Sequence, residues 1–159
     1  MKSPFVLLLA VALSSPLAAL AAADAHNHST SAPHKLELNA GKKWSTDGAL
    51  RQGMSSIRAS VAQMLPSAHS GKATAADYDA FGKAVTAQIT YIVETCKLDP
   101  KADEQLHTIV ADILNGVEAA EGKQGDKKRA SGVVKVAQAA NAYGTHFDHA
   151  GWRAIEMPH

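Results

Sequence analysis

A single cysteine, Cys96, in a chain of 159 residues excludes an internal disulfide, so no stapled scaffold can substitute for a hydrophobic core. In an oxidising compartment a lone thiol must be buried, paired between chains, or held by a metal. Large aromatics are scarce, eight in all. Few are left to line a pocket for a planar cofactor. Only two prolines, Pro66 and Pro100, fall between Pro33 and Pro158, and both sit at gaps in the apolar pattern, where they predict breaks between helices. Alternating strand patterns are absent, as are internal repeats and disciplined heptads. Lys plus Arg number 16 and Asp plus Glu 15, a balance that leaves no electrostatic footprint for nucleic acid. The cluster Lys123, Lys127, Lys128 and Arg129 reads as a solvated interhelical loop. No paired carboxylates, Gly-rich phosphate loop, Ser-His-Asp signature or H-E-x-x-H motif is present, so the chain does not read as an enzyme.

What is present begins at the amino terminus. Lys2 and the apolar run Phe5 to Leu13, followed by small residues, read as a secretory signal peptide, too short and too rich in Ala and Ser to anchor a stable membrane span. Two A-x-A sites follow. Cleavage after Ala23 leaves Asp24-Ala25-His26, and cleavage after Ala25 leaves His26-Asn27-His28. Either cut places a histidine third, where an amine, two backbone nitrogens and an imidazole can form a planar four-nitrogen site for Cu(II) or Ni(II). Asp-Ala-His is similar to the amino-terminal copper- and nickel-binding motif of the albumins. The expected mature chain of roughly 135 residues suffices for one domain with a real core. Residues 24–43 read as a flexible, histidine-containing leader, closing in an extended Leu36-Glu37-Leu38 before Trp44 docks on the domain at 44–159.

Four helices are predicted. The first runs from a cap at Thr46 or Asp47 to about Leu65, with Leu50, Met54, Ile57, Val61 and Met64 or Leu65 on one face. The second starts at Thr74, with Asp77 three residues on, and ends near Lys97. Its stripe of Tyr78, Phe81, Val85, Ile89, Ile92 and Cys96 spans roughly 80° of arc, with Cys96 central and pointing inward. Asp99 and Pro100 open a third, carrying Ala102, Leu106, Ile109, Val110, Ile113, Leu114 and Val117 to about Gly122. The fourth, from about Asp126 to Tyr143, uses Ala130, Val133, Val134, Ala137 and Ala140, small residues that permit close approach. Short connections favour antiparallel neighbours, and hence an all-α, up-down-up-down four-helix bundle.

That topology gathers Met54, Cys96, His107, His146 and His149 at one pole, with His69, in the first interhelical loop, at the other. Thiolate, thioether and imidazoles together suit copper, Cu(I) favouring the sulfurs. Each has a plainer reading. Met54 fits as core filling, Cys96 as a small buried hydrophobe and His107 as a cap on the core edge. His146 and His149 have less packing reason to be histidines, although His146 faces solvent unless the fourth helix turns at Gly144. Cys96 and His107 lie roughly 8 Å apart along antiparallel helix axes, too far for a nucleophile and base pair without a bend.

The layout resembles the periplasmic four-helix-bundle cytochromes of the b562 and c-prime fold. The nearest text is Gly132-Val-Val-Lys-Val-Ala-Gln-Ala-Ala-Asn-Ala-Tyr143, followed by His146. The resemblance implies a haem near one pole and, in the b-type member, ligands mapping onto Met54 and His146. No Cys-x-x-Cys-His occurs, so covalent haem is excluded and only non-covalent haem b is compatible. The expectation is therefore an exported transition-metal protein, most simply a copper chaperone, buffer or sensor. A haem b electron carrier and a metal-free helical adaptor are the alternatives.

Overall fold

A computed structural model describes residues 35–157. The predicted signal peptide, His26, His28 and both cleavage sites lie outside the described residues. Among those described, the protein is all-helical: α1 spans Gly48–His69, α2 Ala75–Thr95, α3 Pro100–Ala120 and α4 Arg129–His146. A single 3-10 turn at Asp126–Lys128 leads into α4. Extended pairing is confined to two isolated bridges, Asn39 with Lys42 and Trp44 with Phe147. None of the described helices is long and apolar enough to cross a membrane.

The starts of the first three helices follow their capping chemistry. The Asp47 carboxylate accepts from the Leu50 N–H at 2.7 Å, and its other oxygen accepts from Lys97 N–H at 2.6 Å, so one side chain caps α1 and holds the exit of α2. Thr74 and Asp77 form a reciprocal capping box. Asp99 and Pro100 open α3 as expected.

Two helix ends differ from expectation. α1 does not stop at Pro66 but runs on to His69, making His69 a helical residue. Proline costs the helix one donor, yet Met64, Leu65 and Ala68 are all buried around it, and their burial holds the final turn. α4 continues through Gly144 to His146 without a turn.

The core is one cluster fed by every helix: Leu50, Met54, Ile57 and Val61; Phe81, Val85, Ile89 and Ile92; Leu106, Ile109, Ile113 and Val117; Val133, Val136, Ala137, Ala140 and Tyr143. On α4 the buried valines are Val133 and Val136, and Val134 lies only at the edge. α3 and α4 share the most extensive interface, and α2 with α3 the least of the four neighbouring pairs. Small residues explain the first: a Cβ on Gly132 would stand 2.6 Å from the Gly116 carbonyl oxygen and 2.8 Å from the Ala119 carbonyl carbon. Helix ends meet in a consistent way. Gly53 early in α1 faces Ile92 late in α2, Gly82 early in α2 faces Glu121 just after α3, and Gly132 early in α4 faces Ala120 at the end of α3.

The supposed basic loop is partly structural. Arg129 is only 18% exposed, accepting no solvated role; it donates to Asp126 at 3.0 Å, Asp79 at 3.3 Å and the Ala120 carbonyl at 3.1 Å, tying α2 and α3 to the start of α4.

Residues 35–43, expected as part of a flexible leader, follow a defined path. Asn39 and Lys42 exchange two backbone hydrogen bonds across Ala40 and Gly41, both at positive φ, the geometry of a tight primed turn. The Glu37 N–H donates to Gln105 at 2.8 Å, the Glu37 carbonyl accepts from the Trp44 indole at 2.7 Å, and Leu36 packs on the core. Trp44 docks as expected, bridging backbone to backbone with His146 and Asp148.

Candidate functional site

The cleft between the end of α2 and the start of α3 holds two of the predicted ligands. α2 ends at Thr95, and Cys96 is its cap residue in extended backbone, with its N–H donating to the Ile92 carbonyl at 2.9 Å. The helical register that aimed Cys96 inward therefore stops one residue short of it. Lys97 is drawn to Asp47, and Asp99 and Pro100 start the next helix two residues later. Cys96 is half-buried at the rim of the core instead of central in it. Burial pushes its thiol above the ordinary cysteine range, reinforced by the Asp47 and Asp103 carboxylates.

Cys96 lines a cavity of about 590 Å³ together with the apolar Ile92, Val93, Leu98, Leu106 and Val110 and with His107 and Asp103 of α3. His107 is exposed, and its Nδ1–H donates to the Asp103 carbonyl oxygen at 2.8 Å, with the Asp103 carboxylate 3.5 Å away. A ring nitrogen committed to a carbonyl leaves Nε2 as the free lone pair, the orientation in which imidazoles bind metals. Among the described residues, no three His, Cys, Asp or Glu side chains converge to hold a metal ion. The cleft offers a pair of donors, not a closed cage.

The other predicted ligands separate. Met54 is fully buried in the core. His146 ends α4, half-buried, with its Nδ1–H donating to the Ala142 carbonyl at 2.8 Å. His149 has both ring nitrogens engaged, Nδ1 with the Tyr143 hydroxyl at 3.0 Å and Nε2 with the Ser55 hydroxyl at 3.4 Å. A larger open groove of about 710 Å³, between the second half of α1 and residues 153–157, includes His69 and Met157 but none of the predicted ligands.

Sequence reasoning missed the surroundings of His149. Trp44, Tyr143, Phe147 and Trp152, half of the eight aromatic residues, gather where α4 ends. Tyr143 stacks on Phe147 at 5.2 Å and meets Trp152 edge-on at 4.9 Å, and the His149 ring lies 5.1 Å from Trp152. Gly144 makes this possible, because a Cβ there would collide with the Trp152 indole. The legible signal was the aromatic density of residues 143–152, with Gly144 among them.

Ser55, His149 and Tyr143 have the outline of a nucleophile, base and orienting group. Proton accounting removes it. Tyr143 is fully buried, burial drives its phenol well above the ordinary range, and its hydroxyl has no acceptor but Nδ1 among the described residues. Nδ1 therefore accepts, Nε2 carries the hydrogen and points it at Ser55, and the imidazole cannot take the serine proton. Comparison with protein-family models, curated proteins and solved structures finds no match to this chain.

Proposed function

We propose that the protein is an exported, antiparallel up-down-up-down four-helix bundle that binds a transition metal, copper, as a chaperone, buffer or sensor and not as a catalyst. The topology is supported by the contacts between helix ends, the starts of α1, α2 and α4 each lying against the end of a neighbour. The observation that carries the metal reading is that Cys96 and His107 both line one cleft, with the imidazole already oriented by Asp103. A soft thiolate with an imidazole suits Cu(I). The amino-terminal His26 or His28, third after either cut, supplies a separate Cu(II) site. Met54, His146 and His149 are not in the proposed ligand set: the first is sealed in the core, His146 does not line the cleft, and both ring nitrogens of His149 are engaged.

Competition against a chromophoric Cu(I) chelator tests the cleft. Cys96→Ser should lower Cu(I) affinity by roughly a hundredfold or more, and His107→Ala by roughly tenfold or more, as lost ligands do. Because the thiol must lose a proton to bind, Cu(I) affinity should rise roughly tenfold per pH unit below the thiol pKa. Acetylating the mature amino terminus should abolish the tightest Cu(II) site without touching Cu(I). Unchanged affinities in all three variants would overturn the reading.

A further inference from the structure

Beyond α4, residues 148–157 lie across α1 and α4 as a strap. Asp148 N–H donates to the Trp44 carbonyl at 2.8 Å, Arg58 of α1 donates to the Arg153 carbonyl, and Asn141 of α4 exchanges two hydrogen bonds with Ile155, at 2.7 and 2.9 Å. Gly151, at positive φ, turns the chain so that the Trp152 N–H reaches the His149 carbonyl. His149 sits at the root, bonded to α1 through Ser55 and to α4 through Tyr143. We propose that His149 makes this segment an acid-released strap: the neutral imidazole pins it to α1 and α4, and protonation frees it.

The argument begins with the hydrogen that a proton would add. Nδ1 accepts from the buried Tyr143 hydroxyl, so a hydrogen on Nδ1 would force that hydroxyl to turn and accept, leaving its own proton without an acceptor among the described residues. The charges around the ring are mixed. From α1, Arg51 opposes an imidazolium; Asp47 at its cap and Asp148 on the strap act on the neighbouring Tyr143 phenol, which is itself uncharged. Burial decides, and together with Arg51 it holds His149 below the ordinary histidine value. A group depressed in the closed state contributes its stabilisation above the ordinary value of about 6.5 and loses it as pH falls through the closed-state value. The strap is also weakly secured at its largest side chain. The Trp152 indole N–H is buried with no partner among the described residues, and packing over Gly144 holds that ring.

The full chain labelled with 5-fluorotryptophan gives two fluorine resonances, assigned by Trp44→Phe. Between about pH 8 and 4.5 the Trp152 resonance should titrate with a midpoint below about 6.5, and the hydrogen-exchange protection of the Ile155 N–H should fall at least tenfold with it. His149→Gln, whose amide can accept from Tyr143 and donate to Ser55, should abolish both changes. Tyr143→Phe keeps the ring packing but removes the donor, so it should move the midpoint upward and reports independently if the glutamine variant does not fold. A titration unchanged in either variant, a shift without loss of protection, or no titration in the wild type would overturn the proposal.

Discussion

Gly132→Ala should destabilise the protein although alanine is the better helix former. In an open helix the exchange gains about 1 kcal/mol. Here the new Cβ would meet backbone, not a side chain that could swing away: the Gly116 oxygen lies 2.6 Å and the Ala119 carbon 2.8 Å from its position. An ordinary contact needs about 3.4 Å, and the Ala120 backbone nitrogen is closer still, so the start of α4 must retreat from α3 by roughly 1 Å, a gap that forfeits a quarter to a half of each contact it opens. The side chains bridging that seam, Ile113, Val117, Val133 and Val136, are buried to within 3%. At about 2 kcal/mol for each such side chain, the loss is roughly 2–4 kcal/mol, leaving a net destabilisation of about 1–3 kcal/mol after the helix gain. For a domain of this size that lowers Tm by roughly 5–15 °C. Thermal unfolding followed by circular dichroism reads it, with Gly48→Ala as the control, because a Cβ there meets nothing within 4 Å. A Gly132→Ala protein melting at or above the wild type would refute the close-approach reasoning.

Asp47→Ala removes a helix cap and the anchor of Lys97 together, so chemical denaturation should show a loss of about 2 kcal/mol, above the roughly 1 kcal/mol of an ordinary cap. Met54→Ala should cost about 2–5 kcal/mol as a core truncation and leave Cu(I) affinity unchanged; a fall in affinity with intact folding would return the thioether to the ligand set. The Cys96 thiol should react with a bulky disulfide reagent in the native state, several times more slowly than a free thiol because its pKa is raised, and complete protection would contradict its half-buried placement.

Local chemistry wrote much of the protein into the sequence. Thr74 with Asp77, and Asp99 with Pro100, start helices wherever they occur, because they satisfy backbone donors that nothing else nearby can reach. The stripes through Leu50 to Val61 and Phe81 to Ile92 mark buried faces by period alone. Where a balance of distant contacts decides, the sequence is silent. Pro66 reads as a break, yet burial of Met64, Leu65 and Ala68 carries α1 past it. Cys96 continues the stripe of α2 in projection, but Asp47, 49 residues earlier, captures the next backbone N–H and the helix has already ended. The fourth helix reads as ending at Tyr143, yet it runs on through Gly144 to His146, and Trp152 packs in the space left by the missing side chain. His149 carries no sign in its neighbours that Ser55 and Tyr143 will occupy both its nitrogens. Periodicity and capping act within a few residues and are legible in order along the chain, whereas a side chain's protonation and exposure are set by whatever folding brings against it.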